Sequence, residues 1–229
     1  FVPALFFSRI NTAQVLKNNS AIKVFKHVSM RKALIVIQYV ISLTFITITI
    51  LGYSQYKSFL SFDLGFTTEN ILNIRLQGNK GNLLIKELSE MPAVTGTSQS
   101  RVITSLGRIN VAQLKHKNDS ATVWQNLVDE NYLPLHQHQL LAGKNFSQKA
   151  ERSEESEVIV NEQVLHRFNI GEKDPRKALG ELVTMDGKKL TIVGVMKDFH
   201  YETLEDEIEP TVFRLSVDGS YSYVNAKIA

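Results

Sequence analysis

The chain has 229 residues and a formal net charge of +3, and its lack of cysteine excludes disulfides, thiolate metal sites and thiol chemistry. The charge is unevenly divided: residues 1–62 carry seven Lys and Arg and no acid, whereas the remainder carries 19 basic and 23 acidic residues, a net of −4. A basic average can signal nucleic-acid binding, but here the excess sits beside an apolar run, where anionic lipid headgroups lie, and this argues against nucleic acid as a partner.

Phe1–Phe7 (FVPALFF) is apolar but too short to span a bilayer, and it reads as the end of a truncated transmembrane helix. Residues 8–32 form a basic connector with Ile10, Val15, Leu16, Ile22, Phe25 and Val28 as its apolar positions. A segment lying on the inner membrane surface and a plain cytoplasmic loop both fit that pattern. Ala33–Tyr53 then runs for 21 positions without a charge. As a helix it is about 31 Å long, close to the hydrocarbon thickness of a membrane. It is longer than a signal-peptide core, and no clear small-residue cleavage site follows it. The span is expected over 33–56, with Tyr53 and Tyr56 at an interface. Arg9, Lys17, Lys23, Lys26, Arg31 and Lys32 assign the preceding side to the cytoplasm, so residues 63–229 are expected outside it. Within the run, Thr44, Thr47 and Thr49 can bond back to their own helix. Gln38 favours a partner on a neighbouring helix.

From Asp63 the pattern is that of a mixed α+β domain. Asn70–Leu76 alternates like a strand, and Asn82–Met91 has helical spacing ended by Pro92. Thr95–Thr104 and Ala121–Val128 read as strands. Asp129 is a candidate N-cap for a helix over Glu130–Gln137, which Pro134 would shorten. Leu140–Phe146 reads as a short strand with a Gly turn, and Lys149–Glu157 as a solvated charged loop. Val158–Val160 is an apolar strand, and Asn161 can cap a helix through Phe168 that turns Val164, Leu165 and Phe168 inward. Gly171, Pro175 and Gly180 punctuate a loop. Glu181–Met185 and Lys188–Val195, joined by Asp186-Gly187, predict a hairpin with a type I′ turn. Thr211–Leu215 and Tyr223–Ile228 supply further strands, and the domain is expected to be truncated at its C-terminal side.

Three sets of residues invite a chemical reading. Asp198 and His200 could pair as a base and its orienter, or as two metal ligands, but no third ligand or nucleophile motif accompanies them. They read instead as a turn in which Asp198 accepts backbone N–H bonds and Phe199 packs inward. His136 and His138 share a face only if the chain is extended there. Trp124 fits a core position better than a ligand platform. There is no G-x-x-x-x-G-K-[ST] sequence, so ATP hydrolysis by that route belongs to another chain. No catalytic, cofactor-binding or metal site is expected, and no cofactor.

Several segments together resemble the FtsX-like permeases of ABC transporters that carry a MacB-like periplasmic core domain, especially the two-half permeases of Bacteroidetes-type bacteria. Phe1–Leu16 looks like the end of a transmembrane helix and the segment after it. Arg31–Gln38 (RKALIVIQ) looks like the start of the first helix of the second half, and Gln55 with Asp63–Leu72 (DLGFTTENIL) like the exit from it. Val128–Phe146 resembles the family's Val-Asp…Gly-Arg-x-Phe block, although Lys144 replaces the usual Arg and a Gly near His136 is missing. Val158–Phe168 and Ile192–Leu204 (IVGVMKDFHYETL) resemble the Asn-Glu helix start and the Asp-Phe-His signature.

The resemblance implies a non-enzymatic permease subunit in a bacterial inner membrane, with residues 63–229 on the periplasmic side. It implies a cytoplasmic ABC ATPase as partner, with other transmembrane helices of the same permease or a homodimer mate. Membrane lipids and a periplasmic adaptor complete the set of partners. The domain would then serve export or mechanotransmission. The competing reading is a single-span sensor or anchor with an extracytoplasmic ligand-binding domain. The apolar stub at Phe1 and the amide of Gln38 favour a helix bundle over that alternative.

Overall fold

A computed structural model describes residues 30–60, 62–104, 110–147, 155–200, 207–216 and 219–229. The expectations for the stub at residues 1–7 and for the connector up to residue 29 lie outside the described residues. The chain forms two compact units, Phe1–Phe62 and Asp63–Ala229.

The first unit contains α1, Met30–Leu60, which is 31 residues long. It extends past the uncharged run at both ends, because Met30-Arg31-Lys32 and Gln55–Leu60 hold no proline or glycine to stop a helix. At about 46 Å it exceeds the hydrocarbon thickness. It is long and apolar enough to cross a membrane. The hydroxyls of Thr44, Thr47 and Thr49 donate to the carbonyls of Val40, Leu43 and Phe45, each at 2.8 Å. This satisfies them without a partner helix.

The second unit runs β1 (Ile71–Arg75), α2 (Asn82–Ser89), β2 (Val94–Ser100), β3 (Val111–His116), β4 (Asp119–Val128), α3 (Tyr132–Leu135), β5 (Leu140–Gly143), β6 (Glu157–Asn161) and α4 (Glu162–Phe168). A 3₁₀ turn (Ile170–Lys173), β7 (Leu182–Met185), β8 (Lys188–Met196), β9 (Thr211–Leu215) and β10 (Tyr223–Ile228) complete it. Six strands close on themselves in the order β4-β3-β7-β8-β6-β9, with β9 returning parallel to β4. Closure removes free edges from this part of the sheet. A three-stranded arm, β1-β10-β2, leaves the ring through one rung, Ser100 opposite Val128.

Three apolar cores follow from this topology. The ring encloses Leu114, Val123, Val160, Val183, Leu190, Ile192 and Val212 and is plugged by Val164, Leu165 and Phe168 of α4. A second core of Tyr132, Phe146, Ile159, Met196, Phe199, Phe213 and Leu215 lies on the other face of β6, β8 and β9. Strand β9 is buried at all five positions because it serves both. The third core packs Leu84, Ile85 and Leu88 of α2 on Val224 and Ala226 of the arm.

Two local expectations hold in detail. Asn161 has extended backbone angles and its side chain accepts from Val164 N, so it caps α4. Asp186 (φ 49°) and Gly187 (φ 75°) form the left-handed pair that turns β7 into β8. Four expectations are corrected. Strand β2 ends at Ser100 rather than Thr104. The Glu130–Gln137 helix shrinks to Tyr132–Leu135, and Asp129 does not cap it: its Oδ2 accepts from Gln99 N at 2.8 Å. The solvated-loop assignment fails at its described end, where Glu157 opens β6 and the Glu155 side chain is buried. Strand β3, absent from the sequence reading, pairs with β4 from Val111–Trp124 to His116–Asp119.

Candidate functional site

The first residues of the domain, Asp63–Thr67, follow α1 directly in the chain and are clamped at several points. Asp63 Oδ1 accepts from Gly65 N at 2.9 Å, which bends the chain at once. Gly65 sits at φ +84°, and a Cβ there would stand 2.9 Å from Phe199 Cβ and 3.1 Å from the Asp198 carbonyl. Only glycine tolerates both the angle and the approach. His200 N donates to Leu64 O at 2.9 Å, and Thr67 N donates to His136 O at 2.8 Å. The His136 Nδ1 lies 3.1 Å from Thr67 O, a pairing that places its proton on Nδ1.

Phe66 then enters a box of rings. It stacks on His138 with centroids 5.2 Å apart and meets Phe199 edge-on at 5.8 Å. His138 in turn meets Phe199 and Phe213 edge-on at 4.8 and 5.1 Å. Burial holds both imidazoles neutral, lowering His136 to about 4 and His138 to about 3. The Nε2 atoms of both rings are buried without a hydrogen-bond partner among the described residues. Gln137, left-handed at φ 56°, turns the chain between them, and the two rings lie with centroids 6.3 Å apart at 50° to one another. Among the described residues no group of three His, Cys, Asp or Glu side chains suits a metal ion. Trp124 is half-buried on the rim of the same core.

The Asp198-Phe199-His200 turn is locked from its other side. Asp198 accepts from Gln163 N at 3.2 Å and from Gln163 Nε2 at 2.7 Å, while its own N–H donates to Glu162 Oε2 at 3.2 Å. Desolvation, with Glu162 nearby, holds its carboxyl above the ordinary carboxylate range. Asn161 ties in β9 as well, accepting from Thr211 N at 2.9 Å and donating to Glu209 O at 3.0 Å. Three segments far apart in sequence, Asp63–Phe66, Asn161–Gln163 and Asp198–His200, therefore form one joint. Phe199 lies at its centre, 1% exposed. The joint fixes the start of the domain to the junction of β6, α4, β8 and β9.

Sequence reasoning missed a second polar cluster. Arg214, inside β9 and 5% exposed, donates Nε and Nη2 to the Glu155 carboxylate at 2.6 and 2.8 Å. Its Nη1 reaches Gln125 Oε1 at 2.9 Å and Asp186 Oδ2 at 2.6 Å. Desolvation pulls the guanidinium down, but Glu155 and Asp186 outweigh it and hold the group above the ordinary arginine value. A cleft of about 250 Å³ opens over this cluster, with Arg101, Lys188, Ser216 and Ser220 on its walls. The signal available in the sequence was one arginine within the apolar strand Thr211–Leu215. The cluster binds β4, β9, the β7–β8 turn and the segment before β6 to one another.

A closed ring with a pendant α/β arm defines a class: a mixed α+β domain that follows, in sequence, one helix long and apolar enough to cross a membrane. The chain belongs to the family of the MacB-like periplasmic core domain, whose sequence model matches residues 38–215. It is similar to the crystal structure of the periplasmic region of MacB from Actinobacillus actinomycetemcomitans, with 14% identity over 72% of this chain and 77% of that one, at a TM-score of 0.51. The extracellular domain of the noncanonic ABC-type transporter YknZ from Gram-positive bacteria matches at 14% identity, 69% and 83% coverage and a TM-score of 0.49. A domain of a putative permease from Porphyromonas gingivalis matches at 13% identity, 69% and 73% coverage and a TM-score of 0.46. A search of curated proteins returns no match.

Proposed function

We propose that the chain forms part of the permease subunit of an ABC-type transporter in a bacterial inner membrane, with residues 63–229 on the periplasmic side. ATP hydrolysis falls to a separate cytoplasmic ATPase. The joint passes motion of α1 into the domain for export or mechanotransmission. The observation that carries this reading is the clamp on Asp63–Thr67. A domain merely tethered to an anchor needs no such grip, because a loose linker serves as well. Here the chain leaving the helix is held by backbone bonds and by Phe66 within a ring-lined core. A clamp of this kind moves as a rigid body with whatever pulls it. Family membership and the fold of the MacB periplasmic region support the same reading.

The test is a flexible Gly-Ser insertion of about six residues after Phe62, which lets the helix move without dragging the domain. In the membrane protein reconstituted with the proposed ATPase, the insertion is expected to leave both units folded and to abolish the coupling of ATP hydrolysis to transport or mechanical output. Unchanged coupling would overturn the proposal and favour a simple anchor.

A further inference from the structure

The closed ring of strands has two unlike ends. On β4 the side chains of Val123, Gln125 and Leu127 share one face, and on β9 so do those of Val212 and Arg214. Val123 and Val212 belong to the ring core, so Gln125, Leu127 and Arg214 continue that inward face to one end of the ring. Helix α4 leaves β6 at the other end, since Val160 of β6 lies beside Val212 and Val158 beside Arg214. The Arg214 end is a polar mouth, and there the cleft of about 250 Å³ opens. The mouth of a closed β-ring is a recurrent place for a small-ligand site.

The charges that line this mouth do not balance. Arg101, Lys188 and Arg214 stand against Glu155 and Asp186, an excess of one positive charge. Glu155 is fully engaged: both oxygens accept from Arg214, and Lys188 Nζ lies 3.3 Å from Oε2. Asp186 Oδ2 accepts from Arg214 Nη1 at 2.6 Å. Every nitrogen of the buried Arg214 guanidinium therefore donates within the cluster, which makes it a fixed positive charge behind the cleft. Arg101 differs. Its backbone N–H is anchored to Leu127 O at 2.9 Å, but its side chain is exposed and has no ion pair among the described residues.

A planar guanidinium matches a carboxylate through two parallel hydrogen bonds. One unit of excess charge favours a monoanion over a dianion. We propose that the mouth of the ring binds a small carboxylate, either a free organic acid or the C-terminal end of a peptide, with Arg101 as the residue that grips it. Lys188 adds a second positive charge, and the hydroxyls of Ser216 and Ser220 line the same wall. Arg101 directly follows β2, beside the single rung that joins arm to ring, whereas Lys188 belongs to the ring. A carboxylate held between them ties the arm to the ring at its narrowest connection. The site shares no residue with the joint at Asp63–Phe66, and it stands whether or not the domain serves a transporter.

The test is saturation-transfer NMR on the membrane protein in lipid nanodiscs, with no ATPase present. The probe is N-acetylalanine, and its amide is the uncharged control. The expected result is saturable binding of the acid and none of the amide. Arg101→Gln is expected to weaken that binding about 10-fold or more, the loss of a hydrogen bond between charged groups, and Arg101→Lys to weaken it less. An exposed side chain without an ion pair is a mild site, so the ligand-free Tm of Arg101→Gln should stay close to that of the wild type. Acetate that competes as well as the probe supports a free organic acid, and weaker competition supports a peptide end. No saturation below about 10 mM would overturn the proposal. So would equal binding of the amide, an affinity unchanged in Arg101→Gln, or inorganic phosphate binding as tightly as the acid.

Discussion

Asp129→Asn should make the domain more stable at neutral pH, by an amount the structure sets. The Asp129 side chain is 8% exposed. One carboxylate oxygen accepts from Gln99 N, and the other has no partner among the described residues. Desolvation, assisted by Glu130 and opposed by the amides of Gln99, Asn131 and Tyr132, raises its pKa from 3.8 to about 7. A raised carboxylate is most favourable when protonated. Its contribution is fully present below pH 3.8 and is lost as pH rises through about 7. At about 1.4 kcal/mol per pH unit, the loss by pH 8 is on the order of 4 kcal/mol. Asparagine keeps an oxygen for Gln99 N and carries no charge. The variant is therefore expected to match the wild type near pH 4 and to exceed it by about 3–4 kcal/mol at pH 8. For a domain of this size that is roughly 6–16 °C in Tm. Denaturant unfolding followed by the fluorescence of Trp124, the only tryptophan, at pH 4, 6 and 8 gives the comparison. A difference between variant and wild type that stays constant with pH to within about 1 kcal/mol would refute the reasoning.

The buried histidines act in the opposite sense. His138 is held neutral, so its contribution is present above pH 6.5 and is lost as pH falls toward about 3. His138→Phe keeps the ring packing and is expected to flatten the acid side of the stability profile between pH 4 and 6. Phe199→Ala empties the centre of the joint and is expected to destabilise the domain by about 3–5 kcal/mol in a thermal or denaturant melt. Arg214→Ala strands Glu155 in a buried site and should cost about 3–5 kcal/mol, whereas the paired change Arg214→Met with Glu155→Gln should recover much of that loss.

What was legible in the sequence was what is local. The long apolar helix α1 announced itself through a charge-free run, the β7–β8 hairpin through Asp186-Gly187, and α4 through the reach of Asn161 to the Val164 amide. Strand β3 was missed because its inward positions are Ala112, Leu114 and His116, too weakly apolar to mark a core face. The helix after Asp129 was overextended because its carboxylate, a good cap by type, is drawn to a β2 amide thirty residues earlier. In the Asp-Phe-His turn, Asp198 accepts a backbone N–H and Phe199 packs inward, as the sequence suggests. Its partner, the Asp63–Phe66 segment, was invisible, since that contact rests on backbone bonds and a glycine approach that no side-chain pattern encodes. Glu155 looked solvated among its charged neighbours, and only the fold brings Arg214 to it.

The central claim, that the domain is driven through its grip on the chain leaving α1, is tested most directly by a distance. This chain has no cysteine, so spin labels at Ser54→Cys in α1 and Ser89→Cys in α2 can be read in the membrane protein combined with the proposed ATPase. The expected result is a separation that changes between nucleotide-free and ATP-bound states and stops following nucleotide when a flexible linker is inserted after Phe62. A separation that ignores nucleotide, or that follows it unchanged through the linker, would contradict the claim.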